Sequence, residues 1–268
     1  MARKRDECDL PGGRRHGRRR VLAVCRRLRG CYGPVQPPPQ GPLLDELIAT
    51  ILSQNTADKT SGPAFDELCR RFGSWEAVRE APVSRIAAAI RRAGLARVKA
   101  PRIKAILQRL HAERGELSLE FLRRWPAPAA MDYLTRFPGV GPKTAACVLL
   151  FACGQPVLPV DTHVHRVCRR LGLIGPRVTA AAAHHLLGQI VPREKVLEFH
   201  IQLIRHGRVC CRARWPQCSR CALRDMCPFG ISGRGGPAAP GEEWKGKGHW
   251  AGPWLPPSPS QPGAGRWQ

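Results

Sequence analysis

Apolar residues recur three and four apart through most of the chain, the period of a helix that buries one face. Leu43-Leu44-Asp45-Glu46-Leu47-Ile48-Ala49-Thr50-Ile51-Leu52 carries this pattern most clearly. The same period predicts helices over residues 102–114, 129–137, 142–153, 162–171, 180–191 and 193–209. Ser84 is placed to cap a helix over 85–93, and Gly94 to close it. A serine hydroxyl accepts a first-turn N–H, and glycine tolerates the reversed backbone at a helix end. Pro142 and Pro192 fall where a first turn has an N–H to spare. Strand-like alternation is nearly absent, and no repeat of roughly 20 to 50 residues occurs. The pattern predicts an all-α fold with short connections.

The ends break this pattern. Arg3, Lys4, Arg5, Arg14, Arg15, Arg18, Arg19 and Arg20 crowd residues 1–20 with little apolar content, which predicts a flexible basic arm over residues 1–19. Val35-Gln36-Pro37-Pro38-Pro39-Gln40-Gly41-Pro42 reads as a stiff connector, because prolines favour extended chain. Residues 232–268 are rich in Gly, Pro, Ser and Trp without a period and read as a disordered tail. Its Trp244, Trp250, Trp254 and Trp267 could stack on bases or be incidental.

Composition narrows the class. The chain has 268 residues, 43% of them apolar, which excludes disorder throughout. Lys and Arg total 44 against 20 Asp and Glu, a formal charge of +24 that draws the chain to polyanions. Nucleic acid is the first partner this suggests and an anionic membrane the second. No run approaches the roughly 18 apolar residues of a membrane helix. The basic residues do not line one face of an amphipathic helix either. Val21-Leu22-Ala23-Val24-Cys25 is too short for a secretory core and ends at Arg26-Arg27, so a soluble, non-exported chain is expected. Five of the twelve cysteines fall between Cys210 and Cys227. In a reducing compartment such a group points to a metal site rather than disulfides.

Two segments carry candidate chemistry. Phe137-Pro138-Gly139-Val140-Gly141-Pro142-Lys143-Thr144-Ala145 lies between two predicted helices. Its Gly139 and Gly141 bracket Val140, which would anchor the turn in the apolar layer. The turn is either a plain tight connection or a phosphate cradle of outward N–H groups at a positive helix end. Such a cradle reads no base, because backbone amides hold an anion whatever the sequence. Spacing excludes a Walker loop, since Pro142 separates Gly141 from Lys143. Lys143 falls at a helix start, where it serves as a phosphate contact, a surface charge or an attacking amine. Asp161, in Pro159-Val160-Asp161-Thr162-His163-Val164-His165-Arg166-Val167, reads first as an N-cap whose second oxygen can face a cleft. Cys211, Cys218, Cys221 and Cys227 form a third group, and four thiolates in so short a loop hold either Zn²⁺ or an iron–sulfur cluster.

Together these residues resemble a known family. Residues 134–145 with 160–167 are similar to the helix-hairpin-helix, Gly/Pro and aspartate signature of the endonuclease III family of DNA glycosylases. The four cysteines are separated by six, two and five residues, that family's spacing for a [4Fe–4S] cluster. His206-Gly207-Arg208, Leu52-Ser53-Gln54-Asn55-Thr56 and Gly94-Leu95 fit as well, and the likeness spans residues 20–230. It implies two helical lobes, a helix-hairpin-helix bundle and a cluster lobe, with a DNA cleft between them. Residues 42–155 would form a six-helix bundle. Residues 20–41 would join 156–231 in the cluster lobe.

The resemblance also implies roles. Lys143 matches the nucleophile that attacks C1′ and forms a Schiff base, and Asp161 the carboxylate that steadies charge on the sugar. Gln54, Leu95 and His163 match positions that insert into the duplex once the base has left the stack. Gly139, Val140 and Gly141 would hold phosphate. Arg212 and Arg214, with Arg208 and Arg220, would be pressed on phosphates by the cluster loop, and Cys210 would be a packed thiol. The expected partner is double-stranded DNA with a damaged base, an oxidised pyrimidine above all, or an abasic site. The expected state is a monomer. It would sit with the nucleoid in a bacterium, or in the nucleus or mitochondrion of a eukaryote. A monofunctional mismatch glycosylase is the closest alternative, but it lacks a lysine at this position and needs a glutamate where Thr50 stands. A non-enzymatic DNA-binding protein is the other, which Lys143 and Asp161 together argue against.

Overall fold

The computed structural model describes residues 10–56 and 58–233, with 58 and 59 as backbone. Among the described residues there are twelve α-helices and no strand, as the apolar period predicts. They form two compact units, one of residues 10–37 with 156–233 and one of residues 38–155. The tail from 234 onward, including its tryptophans, and residues 1–9 of the basic arm lie outside the described residues.

The unit of residues 38–155 contains α2 (Leu43–Ser53), α3 (Asp58–Phe72), α4 (Trp75–Glu80), α5 (Val83–Ala89), α6 (Ala96–Arg114), α7 (Ala127–Thr135) and α8 (Pro142–Phe151). Helix α2 packs on α3 and α8, and α7 packs on α8. Leu43, Leu47, Ile48, Ile51 and Leu52 of α2 are fully buried. Each such side chain contributes about 1.5–3 kcal/mol of burial. Thr144–Phe151 of α8 are buried on every side, so the segment that begins with Lys143 is fixed by the core.

The unit has seven α-helices where the resemblance implies six. Helices α3 and α4 escaped the periodic reading. Ser61-Gly62-Pro63 interrupts the pattern of α3. The six-residue α4 depends on a cap, Ser74 Oγ accepting from Ala77 N at 3.1 Å. The helix expected over 85–93 begins at Val83, because Pro82 takes the cap position, and a 3₁₀ turn over Arg91–Ala93 completes it. Gly94 closes that turn as expected, at φ 63°. The helix expected over 102–114 starts earlier, at Ala96, and carries Pro101 inside it.

The other unit contains α1 (Gly13–Tyr32), α9 (Thr162–Arg170), α10 (Ala180–Ile190), α11 (Val196–Val209) and α12 (Pro228–Ile231). Helix α1 packs on α10 and α11, and α9 packs on α11. Residues 13–19 are helical rather than a flexible arm. Gly17 joins Val21, Val24, Cys25 and Leu28 on the buried face of α1. The Cβ of an alanine at Gly17 would come within 2.9 Å of Ile190 Cγ2, so the helices meet through a residue without a side chain. A glycine gives no apolar signal, which is why the basic run read as an arm.

Candidate functional site

The hairpin joins α7 to α8. Val140 N donates to Phe137 O at 3.1 Å, and the Val140 side chain is buried at 5% exposure, anchoring the turn as expected. Gly139 has φ 77°, and a Cβ there would meet Arg102 Cδ at 2.7 Å, so glycine is required twice over. Gly139 and Gly141 are exposed. Because the Val140 N–H is used within the turn, the amides left for an anion are those of Gly139, Gly141 and the first turn of α8. Pro142 is the first residue of α8, and Lys143, half-buried, is the second. Arg102, which sequence reasoning missed, lies against this turn with its Cδ, Nε and Nη1.

Gln54 and Leu95 stand close to the same framework. Gln54 ends α2, and its Nε2 donates to Gly139 O and to Thr144 Oγ1, both at 3.1 Å. Leu95 precedes α6 at φ 50° with 53% of its surface exposed. A left-handed leucine costs about 1–2 kcal/mol, and its exposed side chain recovers little of that by burial. Such an outlier points to a use outside the fold. Thr50, buried, donates to Glu46 Oε1 at 3.1 Å, so the Glu46 carboxylate is engaged within α2. Sequence reasoning also missed Lys99, 1% exposed, whose signal is a cation at an apolar-period position of α6.

Asp161 and His163 lie on α9, in the other unit. Asp161 is the N-cap, with Oδ1 accepting from Val164 N at 2.7 Å. The cap fixes the carboxylate in one rotamer and leaves Oδ2 as an acceptor. His163 Nδ1 accepts from Arg166 Nη2 at 3.0 Å, so its proton sits on Nε2. Burial, with Arg166 and Arg208 nearby, pushes His163 below its ordinary value and keeps the ring neutral at neutral pH. Gly207 makes room for it, since a Cβ there would meet His163 Nδ1 at 2.8 Å. Gly207→Ala is therefore expected to turn His163 off Arg166 and to cost about 1–3 kcal/mol of stability. Urea unfolding of the variant beside wild type checks this, together with the ring chemical shifts of His163.

Cys211, Cys218, Cys221 and Cys227 line one cavity. Arg170 Nη1 donates to Cys211 Sγ at 3.3 Å and to Arg212 O at 2.7 Å, and Leu223 N donates to Cys221 Sγ at 3.4 Å. Hydrogen bonding from Cys210 and from His206 holds the Cys221 thiol well below its ordinary value, toward the thiolate that a metal takes. Cys210, expected as a packed thiol, is buried at 4% exposure and reaches Gln217 O at 3.5 Å, but its sulfur also groups with His206 and Cys221. Among the described residues, the metal-type group whose donor atoms all lie within 4.8 Å of one another is His206, Cys210 and Cys221, not the four cysteines. Four sulfurs around one Zn²⁺ stand about 3.8 Å apart, from Zn–S bonds of about 2.3 Å. Donors more widely spread around one cavity fit a cluster better.

Arginines tie this loop down. Arg20 of α1 donates to Leu171 O and, at 2.7 Å, to Met226 O. It is thus a structural contact rather than part of a solvated basic run. Arg27 pairs with Asp225. Arg212 and Arg214 are exposed. Between Arg214 and Pro216 stands Trp215, at φ 54° and 75% exposed, a residue that sequence reasoning did not single out.

Comparison with known proteins agrees with this arrangement. The profile of the HhH-GPD superfamily base excision DNA repair proteins matches residues 48–193. Endonuclease III of Haemophilus influenzae is 42% identical over 91 residues, 34% of this chain and 43% of that protein. Endonuclease III of Sulfolobus acidocaldarius is 35% identical over 187 residues, 68% of this chain and 80% of that protein. A trapped endonuclease III–DNA covalent intermediate superposes with a TM-score of 0.68 at 26% identity, covering 80% of this chain and 97% of that one. With this profile over more than half of the chain, a relative of which 80% is covered and a matching helical fold, the chain belongs to the endonuclease III family of HhH-GPD base excision DNA repair proteins.

Proposed function

We propose that this chain is a bifunctional DNA glycosylase and AP lyase that removes damaged, chiefly oxidised, pyrimidines from double-stranded DNA. The observation that carries the reading is Lys143, half-buried in the first turn of α8 behind the exposed Gly139 and Gly141. The trapped covalent complex of an endonuclease III supports it, since this chain matches nearly all of that one. In the reaction, the Lys143 amine attacks C1′ and the base departs with the bonding electron pair. The C1′–O4′ bond then breaks, O4′ takes up a proton, and the opened sugar is left with C1′ as the iminium of the Schiff base. Its iminium acidifies the 2′ proton, and loss of that proton expels the 3′ phosphate. Asp161 Oδ2 steadies the positive charge on the sugar and assists proton transfer. Gln54, Leu95 and His163 fill the space the flipped nucleotide leaves, and Arg212 and Arg214 hold phosphates.

Cys211, Cys218, Cys221 and Cys227 would hold a [4Fe–4S] cluster. When bound, it supplies a rigid staple for the Arg212–Arg214 loop rather than a reacting group. The purified chain is expected to be brown and to contain iron and acid-labile sulfide in equal amounts, and Cys218→Ser to lose both. Zinc without sulfide would contradict this assignment. A panel of duplexes, each with one lesion, tests the activity. Strand cleavage at an oxidised pyrimidine and a borohydride-stable protein–DNA adduct are expected. Binding without cleavage or adduct on every lesion and on an abasic site would leave only a DNA-binding protein.

A further inference from the structure

Lys99 is the fourth residue of α6 and lies on the face that buries Ala100, Ile103, Ile106 and Leu107. An ammonium so placed needs all three of its protons accepted. Nζ donates to Leu52 O at 2.6 Å, to Thr56 Oγ1 at 2.6 Å and to Ala93 O at 2.9 Å. The three acceptors are neutral oxygens. Leu52 O belongs to the last turn of α2, and Ala93 O ends the Arg91–Ala93 turn. The ammonium therefore meets two carbonyl ends at once, where helix dipoles are negative. Thr56 Oγ1 also bonds Ala93 O and reaches Gln54 O at 3.1 Å, adding a second strut. Burial pushes the Lys99 ammonium down to about 8, which the three bonds to it oppose.

The two segments so joined are the one that carries Gln54 and the one that carries Leu95. Each also holds a non-glycine residue in the left-handed region, Asn55 at φ 51° and Leu95 at φ 50°. Such backbone persists where its surroundings over-determine it. We propose that Lys99 is a positioning residue for damage recognition, its buried ammonium tying the Gln54 loop to the Leu95 turn so that both side chains meet the duplex as one preset pair. This rests on the reading of Gln54 and Leu95 as duplex-inserting residues. Filling the gap left by a flipped nucleotide demands two side chains at a fixed spacing, and a preset pair saves the cost of ordering them on DNA. Methionine would match the volume of Lys99 but take the ammonium donor from Leu52 O and Thr56 Oγ1 and leave Ala93 O with Thr56 Oγ1 alone, and these relax by letting the loops part.

The test compares full-length wild type, Lys99→Met and Thr56→Val. Affinity is measured for a duplex with a tetrahydrofuran abasic analogue and for an undamaged duplex. Borohydride trapping is followed on an abasic site in a single strand, which has no stack to fill. Lys99→Met is expected to lose about tenfold or more in affinity for the analogue duplex. Undamaged-duplex affinity and the single-strand trapping rate stay within about twofold. Thr56→Val is expected to move the same way by about threefold, and it decides by the same ratio if Lys99→Met does not fold. Unchanged preference for the analogue, or equal losses in all three readouts, would overturn the proposal. A wild-type chain with no preference for the analogue would overturn the functional reading, and this inference with it.

Discussion

Lys143→Gln is expected to abolish strand cleavage and adduct formation while the protein still folds and binds DNA. The side chain is half-buried at the start of α8, and Thr144–Phe151, which hold that helix in the core, are untouched. Glutamine is one heavy atom shorter but keeps a polar end at a half-buried position, so the stability change should stay within about 0.5 kcal/mol. It has no amine to form a Schiff base, so the cleavage rate should fall on the order of 10³-fold or more. Affinity for an abasic-analogue duplex should stay within about threefold, because the Gly139–Gly141 turn and Gln54 are unchanged. Single-turnover cleavage and a thermal melt of the same preparation separate the two effects.

Asp161→Asn is the second large effect, and it separates structure from chemistry. Asp161 caps α9 through Oδ1, and asparagine caps a helix about as well as aspartate. The variant should therefore unfold within about 0.5 kcal/mol of wild type. What it loses is negative charge, and base release should slow on the order of 10²–10³-fold. Asp161→Ala should lose the same rate and about 1 kcal/mol of stability besides. A variant with asparagine that releases base at the wild-type rate would reduce Asp161 to its cap.

Much of the fold is legible in the chain because helices with one apolar face announce themselves by period. Helices α2 and α8 to α11 do so, and the structure places each within a few residues of its expected span. Those that escaped depend on signals that the period does not carry. The start of α1 rests on Gly17, where the missing side chain is the packing feature. Helix α3 runs through Ser61-Gly62-Pro63, and tertiary packing overrides three poor helix formers. The candidate site divides the same way. Lys143, Asp161 and the four cysteines can be singled out in the chain because the family resemblance attaches residue types to a spacing. Lys99, Arg102, Arg170 and Trp215 cannot be, because their roles come from contacts between segments distant in sequence or from local backbone strain. Lys99 reaches Leu52 across 47 positions, and Arg170 reaches Cys211 across 41.

The central claim is that the Lys143 amine becomes covalently joined to the sugar. The most direct test traps the wild-type protein with borohydride on a duplex bearing an abasic site, digests the adduct and sequences the cross-linked peptide by mass spectrometry. One adduct is predicted, on the peptide that contains Lys143 and absent from Lys143→Gln. No adduct, or one carried by the N-terminal amine or another lysine, would contradict the account.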